Sequence, residues 1–536
     1  MIRRLASIPP AELPRRAAGA LRREGGFALQ RAIDQVRRSY AAELPVGPLI
    51  RIFPAPPIDE LRAIAPELAA ACERDLAHEF DLLGSGPVRV AHGVAAIGTA
   101  GHRHDSTPRP GERVNAANRA EARRIRGLID ADYAPIDWHL DFKSGFRWDE
   151  STWWRDVPIG HLPGVDVKVP WELSRMQHLP RLACAGALAA AGEPGFAAPE
   201  RYAREIRNQI LDWIAANPPR WSVNWRMPMD VALRVVSWLV ARDLLAARGV
   251  GFDDGFERVF QRSVREHATH LIHHLEWNRE VRGNHYFANV AGLLFCAAYL
   301  PRGRATDAWL AWAVQELGAE TELQFASDGS SFEASTAYHC LGMEMVAWCT
   351  ALIRALPAQK AAAIADARPR DWTRHPPLRP GAALPPAHAA RVRAMVGFAA
   401  ALTKPSGLMA QIGDNDSGRF LPIRPPRPVL DPREPTAVAA TLGGLTAPGE
   451  AAAAMVAGMV AERDAGGGGP SPVSLGLATL SHLCQLTDKH GTGEHSQNTK
   501  LGDEGGAREG SAFSEIRVGG GGLRDGGEVL AFPDFG

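Results

Sequence analysis

The sequence predicts a mainly α-helical protein built of antiparallel helical hairpins, and three observations carry that expectation. From about Pro170 to Val460, apolar residues recur at three- and four-residue steps in one segment after another. Short connections rich in Gly, Pro, Asn and Asp, such as Asn217-Pro218-Pro219 and Pro301-Arg302-Gly303, separate these segments. Between them there is almost no alternating run of β-branched and aromatic residues, which disfavours a parallel-sheet α/β fold. Consecutive long helices on short loops pack as antiparallel neighbours, in a bundle, a solenoid or a toroid. No fixed-period repeat is visible, which weakens the solenoid.

Taken in chain order, residues 1–110 form an N-terminal extension with basic helices. Arg15, Arg16, Arg22 and Arg23 interrupt every apolar stretch that a secretory signal would need, so the direct expectation is a cytoplasmic protein. The same segment reads either as a solvated helix face or as a basic amphipathic helix resting on a membrane surface. A Pro-rich stretch follows, from Pro45 to Pro57. Residues 111–465 form the helical domain. It opens with an aromatic and polar region, DWHLDFKSGFRWDESTWW at 137–154, whose tryptophans serve either as packing or as a platform for sugar rings. Helices are expected at 171–192, 199–216, 227–248, 255–277, 285–300, 304–325, 333–356, 388–404 and 435–462. The most apolar run, Val290 to Leu300, is too short to span a bilayer. Residues 466–536 form a Gly-rich tail, with 11 glycines among the last 36 positions. It reads as a linker, a disordered end or the start of a truncated β-sandwich, with a strand expected around Val529 to Phe532.

The chain has 536 residues, with 60 Lys+Arg against 60 Asp+Glu and 46% apolar residues. That balance argues against nucleic-acid or anionic-membrane binding by bulk electrostatics. Six cysteines without a C-x-x-C pair suggest neither a disulfide framework nor a zinc ribbon.

Four segments put polar and ionisable residues where a structural helix would not want them. In Asp166-Val-Lys168-Val-Pro-Trp-Glu172-Leu-Ser-Arg175-Met-Gln-His178, the residues Glu172, Arg175 and His178 fall at three-residue steps on one expected helix face, next to Lys168. Arg282-Gly-Asn284-His285-Tyr286 feeds the apolar helix, where Asn284 is either a plain helix cap or part of a carboxylate site at the helix N-terminus. In Asp328-Gly-Ser-Ser-Phe-Glu333-Ala-Ser-Thr336-Ala-Tyr338-His339, a turn leads into a helix on which Glu333, Thr336, Ala337 and Cys340 are expected to share a face. Gly413-Asp414-Asn415-Asp416-Ser-Gly418-Arg419 is a tight acidic turn without the spacing of an EF-hand.

Five motifs in order, DVKVPWELSRMQHL (166–179), NWRMPMDVALRVVSW (224–238), RGNHYFANVAGLL (282–294), SDGSSFEASTAYH (327–339) and GDNDSGR (413–419), resemble the heparinase II/III family of polysaccharide lyases and its alginate-lyase-like relatives. The resemblance implies an incomplete α/α toroid and β-elimination on a uronic-acid-containing polysaccharide. It implies Asn284 as the first choice to offset the substrate carboxylate, assisted by His285 and Arg282, and, in the pair Tyr338-His339, Tyr338 as the group that protonates the leaving oxygen and, for some substrates, takes the C5 proton. It also implies Lys168, Glu172, Arg175, Arg282, Glu333, Asp414, Asp416 and Arg419 as residues that line or brace the groove. The expected partner is an acidic polysaccharide, held by a local basic groove around Lys168, Arg175, Arg282 and Arg419, with neither nucleic acid nor a transmembrane segment. The resemblance places such proteins at the cell envelope or periplasm.

Members of that family continue into a β-sandwich that carries a second catalytic histidine and, in some, a divalent metal site. This chain ends at Ala531 to Gly536, a stretch resembling the entry into that domain, and no cofactor is expected from its own residues. Three expectations stand side by side: a shortened reading frame, a partner chain that supplies the missing half, or a relative that only binds acidic polysaccharide. A glycoside hydrolase on an α/α toroid, using two carboxylates among Asp328, Glu333, Asp414 and Asp416, is the remaining alternative.

Overall fold

The computed structural model describes residues 13–423 apart from 41–46, 94–95, 97, 99–100, 105–113, 280–281, 382, 404–408 and 416–417, with backbone alone for 13–23. Contacts divide the chain into residues 1–488 and 489–536, and every described residue belongs to the first unit. The expected helix at 435–462, the strand near Val529, Asp416 and Cys484 lie outside the described residues.

The early elements are α1 (Leu13–Val36), α2 (Ile58–Arg62) and α3 (Ala65–Leu76), then a short antiparallel hairpin of β1 (Glu79–Phe80) and β2 (Val88–Arg89), then α4 (Arg119–Arg126). They are fastened to the helices that follow. Asp34 of α1 accepts from Trp153 Nε1 at 3.0 Å and from Arg220 at 2.6 and 2.8 Å, and Tyr40 Oη donates to the Ile214 carbonyl at 2.7 Å. Trp138, Trp148, Trp153 and Trp154 are all buried, so the aromatic region packs rather than forming an open platform.

The helical domain continues with α5 (Lys168–Ser174), α6 (Leu179–Ala190), α7 (Pro199–Ala216), α8 (Pro228–Ala246), α9 (Asp254–His273), α10 (Asn284–Tyr299), α11 (Arg304–Gln324), α12 (Thr336–Arg354), α13 (Ala358–Asp366) and α14 (His388–Ala401). Proline opens α7 and α8, where its missing N–H costs nothing. Asp253 caps α9 by accepting from Phe256 N at 3.0 Å.

The expected helix 171–192 is instead two helices, because Met176 adopts φ +50° and Pro180 stands at the start of α6. That break takes His178 off the face shared by Glu172 and Arg175. The helix expected from 333 begins at Thr336, since Ala334 adopts φ +52°, so Glu333 lies in the preceding turn rather than on the helix face with Cys340.

Helix α6 packs on α8, α8 on α10 and α10 on α12, while α7, α9, α11 and α13 lie behind them. Alternate helices therefore form an inner row running one way, backed by an outer row running the other, which is an incomplete α/α toroid. Every residue of α10 from Tyr286 to Tyr299 is buried, as suits an apolar helix at the centre of such an arc. Gly292 lets α8 approach closely, because a Cβ there would stand 2.5 Å from that of Ala232. At the far end of α10, the buried Lys360 ammonium donates to the Ala297 carbonyl at 2.7 Å and to that of Leu300 at 2.5 Å, capping the helix, and burial pushes its pKa down to about 8. Cys72, Cys184, Cys296, Cys340 and Cys349 are buried free thiols. No single described helix is long and apolar enough to cross a membrane.

Candidate active site

Because the inner helices run parallel, α6, α8, α10 and α12 all begin at the same end of the arc, and their N-terminal partial positive charges gather there. Four of the five sequence motifs fall on these helix starts.

At the start of α10, Gly283 rather than Asn284 is the N-cap residue and supplies no capping side chain of its own. Asn284 does something else. Its backbone N–H and its Nδ2 donate to Glu333 Oε1 at 3.3 and 2.9 Å. The carboxylate lies so close that a Cβ on Gly283 would stand 2.6 Å from Glu333 Oε1, so a side chain there would push Glu333 away from Asn284. Asn284 is nearly buried, whereas the adjacent His285 is about half exposed, with a side-chain accessibility of 48%.

His285 Nδ1 lies 2.8 Å from Glu276 Oε1. Glu276 is itself held on every side. Its Oε2 accepts from Met229 N and from Asn289 Nδ2, both at 3.0 Å, and its own N–H donates to Asn289 Oδ1 at 2.7 Å. Partial removal from water disfavours the charged ring, but the Glu276 carboxylate outweighs this and holds the His285 pKa above the ordinary value. Arg175 and Asp230 also act on this ring.

Behind this pair, Arg175 Nε donates to Asp230 Oδ1 at 2.6 Å, and its Nη1 pairs with Glu172. Arg282 pairs with Glu320 at 2.8 Å, and Arg419 with Glu344 at 2.8 Å. Three guanidiniums expected to form a bare basic groove are thus each bound to a carboxylate, and they brace the site rather than leaving it strongly positive. Lys168 stands exposed at the start of α5, where its N–H donates to Asp166 Oδ1 at 2.9 Å. His178 is buried against Gln209 at 2.6 Å, and burial pushes its pKa down to about 4.

At the start of α12, Ser335 is the cap and does two jobs. Its Oγ accepts from Tyr338 N at 3.2 Å and donates to the Asp414 carbonyl at 2.6 Å. The acidic turn therefore fastens the first turn of α12 through backbone, with the Asp414 side chain exposed. Gly413 adopts φ +69° and lies against Ala334, where a Cβ would meet the carbonyl oxygen at 2.6 Å. Tyr338 is half-buried in that first turn. His339 points the other way, into the core between Phe325 and Phe398. Its Nε2 donates to the Met395 carbonyl at 3.1 Å, and burial pushes its pKa down to about 4. A ring so placed has no open path to a substrate, so the expected pair divides into a reachable Tyr338 and a structural His339. Tyr286, beside His285, is likewise a core residue whose hydroxyl donates to Glu316 at 2.8 Å.

The structure thus brings Asn284, His285, Glu333 and Tyr338 to adjoining inner-helix starts, supported by Arg175, Arg282 and Arg419. The sequence reading did not single out Gly283, Asp230, Glu276, Asn289 or Ser335. Among the described residues, no three His, Cys, Asp or Glu side chains converge where a metal ion could sit.

The family model "Heparinase II/III N-terminus" matches residues 103–375, just over half of the chain and all of these helix starts up to α12. The chain belongs to the heparinase II/III family. A curated heparin-sulfate lyase from Bacteroides stercoris is 22% identical over 235 residues, 40% of this chain and 32% of that protein. The chain therefore spans about a third of the length of the curated relative it matches. Among solved structures, heparan sulfate lyase HepC from Pedobacter heparinus is similar at 20% identity, covering 57% of this chain and 41% of that one, with a TM-score of 0.32. A structure described as heparinase III is similar at 16% identity, covering 67% and 47%, with a TM-score of 0.33.

Proposed function

We propose that this chain is a polysaccharide lyase that cleaves a uronic-acid-containing polysaccharide by β-elimination. The observation that carries the reading is the mouth formed by α10 and α12, where a histidine hydrogen-bonded to Glu276, an asparagine aimed by Glu333 and a reachable tyrosine meet the N-termini of two inner helices. Family membership and the similarity to a curated heparin-sulfate lyase support it.

Each residue type answers a demand of the reaction. Removing the C5 proton builds negative charge beside a carboxylate that is already anionic, so that group must first be offset. His285 as imidazolium supplies a full positive charge, and Asn284 has a second amide hydrogen left after Glu333 takes the first. His285 is the more exposed of the two and makes the main contact, with Asn284 behind it. The C5–H bond then breaks, a C4–C5 double bond forms, the C4–O4 bond breaks and O4 takes a proton. Tyr338 fills both proton roles in turn: it gives O4 its proton, and it has first, as phenolate, taken that same proton from C5. A free tyrosine titrates near 10, so the role as base requires the cations at this mouth to lower its pKa. Glu276 and Glu333 act by positioning.

The test is to incubate the protein with alginate, heparan sulfate and glucuronan while following the absorbance of unsaturated chain ends. Product with at least one uronate is expected. Binding without product would overturn catalysis in favour of a carbohydrate-binding protein, and new reducing ends without unsaturation would point to hydrolysis.

A further inference from the structure

A cavity of about 660 Å³ lies between α4, the segment 129–150 and the last turns of α7, and shares no residue with the mouth of α10 and α12. Arg119, Arg123 and Arg126 line it together, at the spacing that puts three side chains on one face of α4. Among the described residues, none of the three makes a close ion pair with a carboxylate, although the Arg126 charge acts on Glu150 and Asp212 across the cavity. The neighbouring cations differ in that respect: Arg124 pairs with Glu121 at 2.7 Å, and Arg147, also in the cavity wall, is taken up by Asp137 and Glu150. The unpaired face of α4 therefore turns three guanidiniums toward a space large enough for a small ligand.

A second feature of the same wall points to more than a bare anion. Glu150 is 1% exposed, and while its Oε1 takes Arg147, its Oε2 has no hydrogen-bond partner. A buried acceptor left unsatisfied is costly, and a hydroxyl donor entering the cavity would satisfy it. Ile129, Pro135 and Ile136 add an apolar stretch to the wall, and its two other carboxylates, Asp130 and Asp212, already accept from Asn208 and from Trp138 and Ile136 N. Cations, a hydroxyl acceptor and an apolar face together match a sugar ring that carries an acidic group.

We propose that this cavity is a second binding site, for an anionic saccharide. The carboxylate or sulfate of the sugar rests on Arg119, Arg123 and Arg126, a ring hydroxyl donates to Glu150 Oε2, and the C–H face of the ring lies against Ile129 and Ile136. The site stands whether or not the chain cleaves polymers.

The experiment uses the full chain and three probes: a sulfated uronate disaccharide, a neutral disaccharide of the same size and sodium sulfate. Calorimetry gives affinities for the wild type, Arg119→Gln/Arg123→Gln and Arg123→Lys, and hydrogen exchange locates the protected peptides. The acidic disaccharide is expected to protect residues 119–136, with affinity at that site falling about tenfold or more in the double variant and largely kept in Arg123→Lys. The neutral sugar is expected to bind far more weakly. Protection confined to residues 276–289 and 333–340, or unchanged affinity in the double variant, would overturn the proposal. Sodium sulfate binding as tightly as the disaccharide would overturn the saccharide in favour of a bare anion.

Discussion

Asn284-His285 and Tyr338-His339 look alike in the sequence, each a polar pair with a histidine second, set where a loop enters an apolar inner helix. The structure gives the two histidines opposite lives. His285 is half exposed and leans on the Glu276 carboxylate, which raises its pKa. His339 is buried between two phenylalanines with only a carbonyl to bond, and its pKa falls to about 4. Position along the chain does not decide charge; the partner and the access to water do. The polar members differ in the opposite sense. Asn284 is the more buried of its pair and Tyr338 the more exposed, so each helix start offers a different member of its pair to the groove.

The largest expected effect separates Tyr338 from His339. Tyr338→Phe is expected to lower the elimination rate by about 10²–10⁴-fold while polymer binding stays within a factor of a few, because only the proton-transfer hydroxyl is lost. Rates and binding isotherms for the same preparation check this, and wild-type turnover would remove Tyr338 from the mechanism. Asn284→Ala is next, at about 2–4 kcal/mol of transition-state stabilisation, read as kcat/KM on a uronate polymer. A lower melting temperature with unchanged kcat/KM would make Asn284 merely structural, acting through its bond to Glu333.

Buried neutral histidines set the third expectation. His178, His339 and His388 have folded pKa values pushed down to about 4, below the ordinary 6.5. The unfolded chain therefore binds protons that the folded chain refuses between those values, and stability falls as pH drops from about 6.5 toward 4, by up to about 3 kcal/mol for each ring. Denaturant unfolding at pH 7 and pH 5 measures it; equal midpoints would contradict this account of burial. His285 has the opposite sign. Its raised pKa widens the pH range over which it carries a charge, and that charge is lost as pH rises through the raised value. Glu276→Gln is expected to move the alkaline fall of kcat/KM that reports His285 to lower pH, leaving the response to His339→Gln unchanged. The smallest effect belongs to Glu333→Gln, which keeps the hydrogen bond from Asn284 but removes the charge, and a loss of about 1 kcal/mol in kcat/KM is expected.

Much of the scaffold was legible in the sequence, because helices such as α7, α8 and α10 follow the period of their apolar residues and the Pro and Gly connections between them. The break at Met176 was marked only by Pro180, and the late start of α12 by nothing but a left-handed alanine. At the site, Asn284, His285, Glu333 and Tyr338 stood out because polar residues at apolar helix starts are costly without a use. Glu276 did not, since an acidic residue nine positions before His285 in a loop gives no sign that it folds back onto the ring. The opposed burial of His285 and His339 was equally hidden, because it depends on α14 covering one helix start and leaving the other open. Arg175, Arg282 and Arg419 suggested a basic groove only while Asp230, Glu320 and Glu344, distant in sequence, were unseen.

The most direct measurement is a titration of the two rings by NMR on histidine-labelled protein, with His285→Gln and His339→Gln spectra to assign them. The account predicts that His285 titrates above 6.5 and that His339 stays neutral down to about 4. His285 titrating below 6.5, or His339 titrating close to it, would contradict the division of labour between the two helix starts.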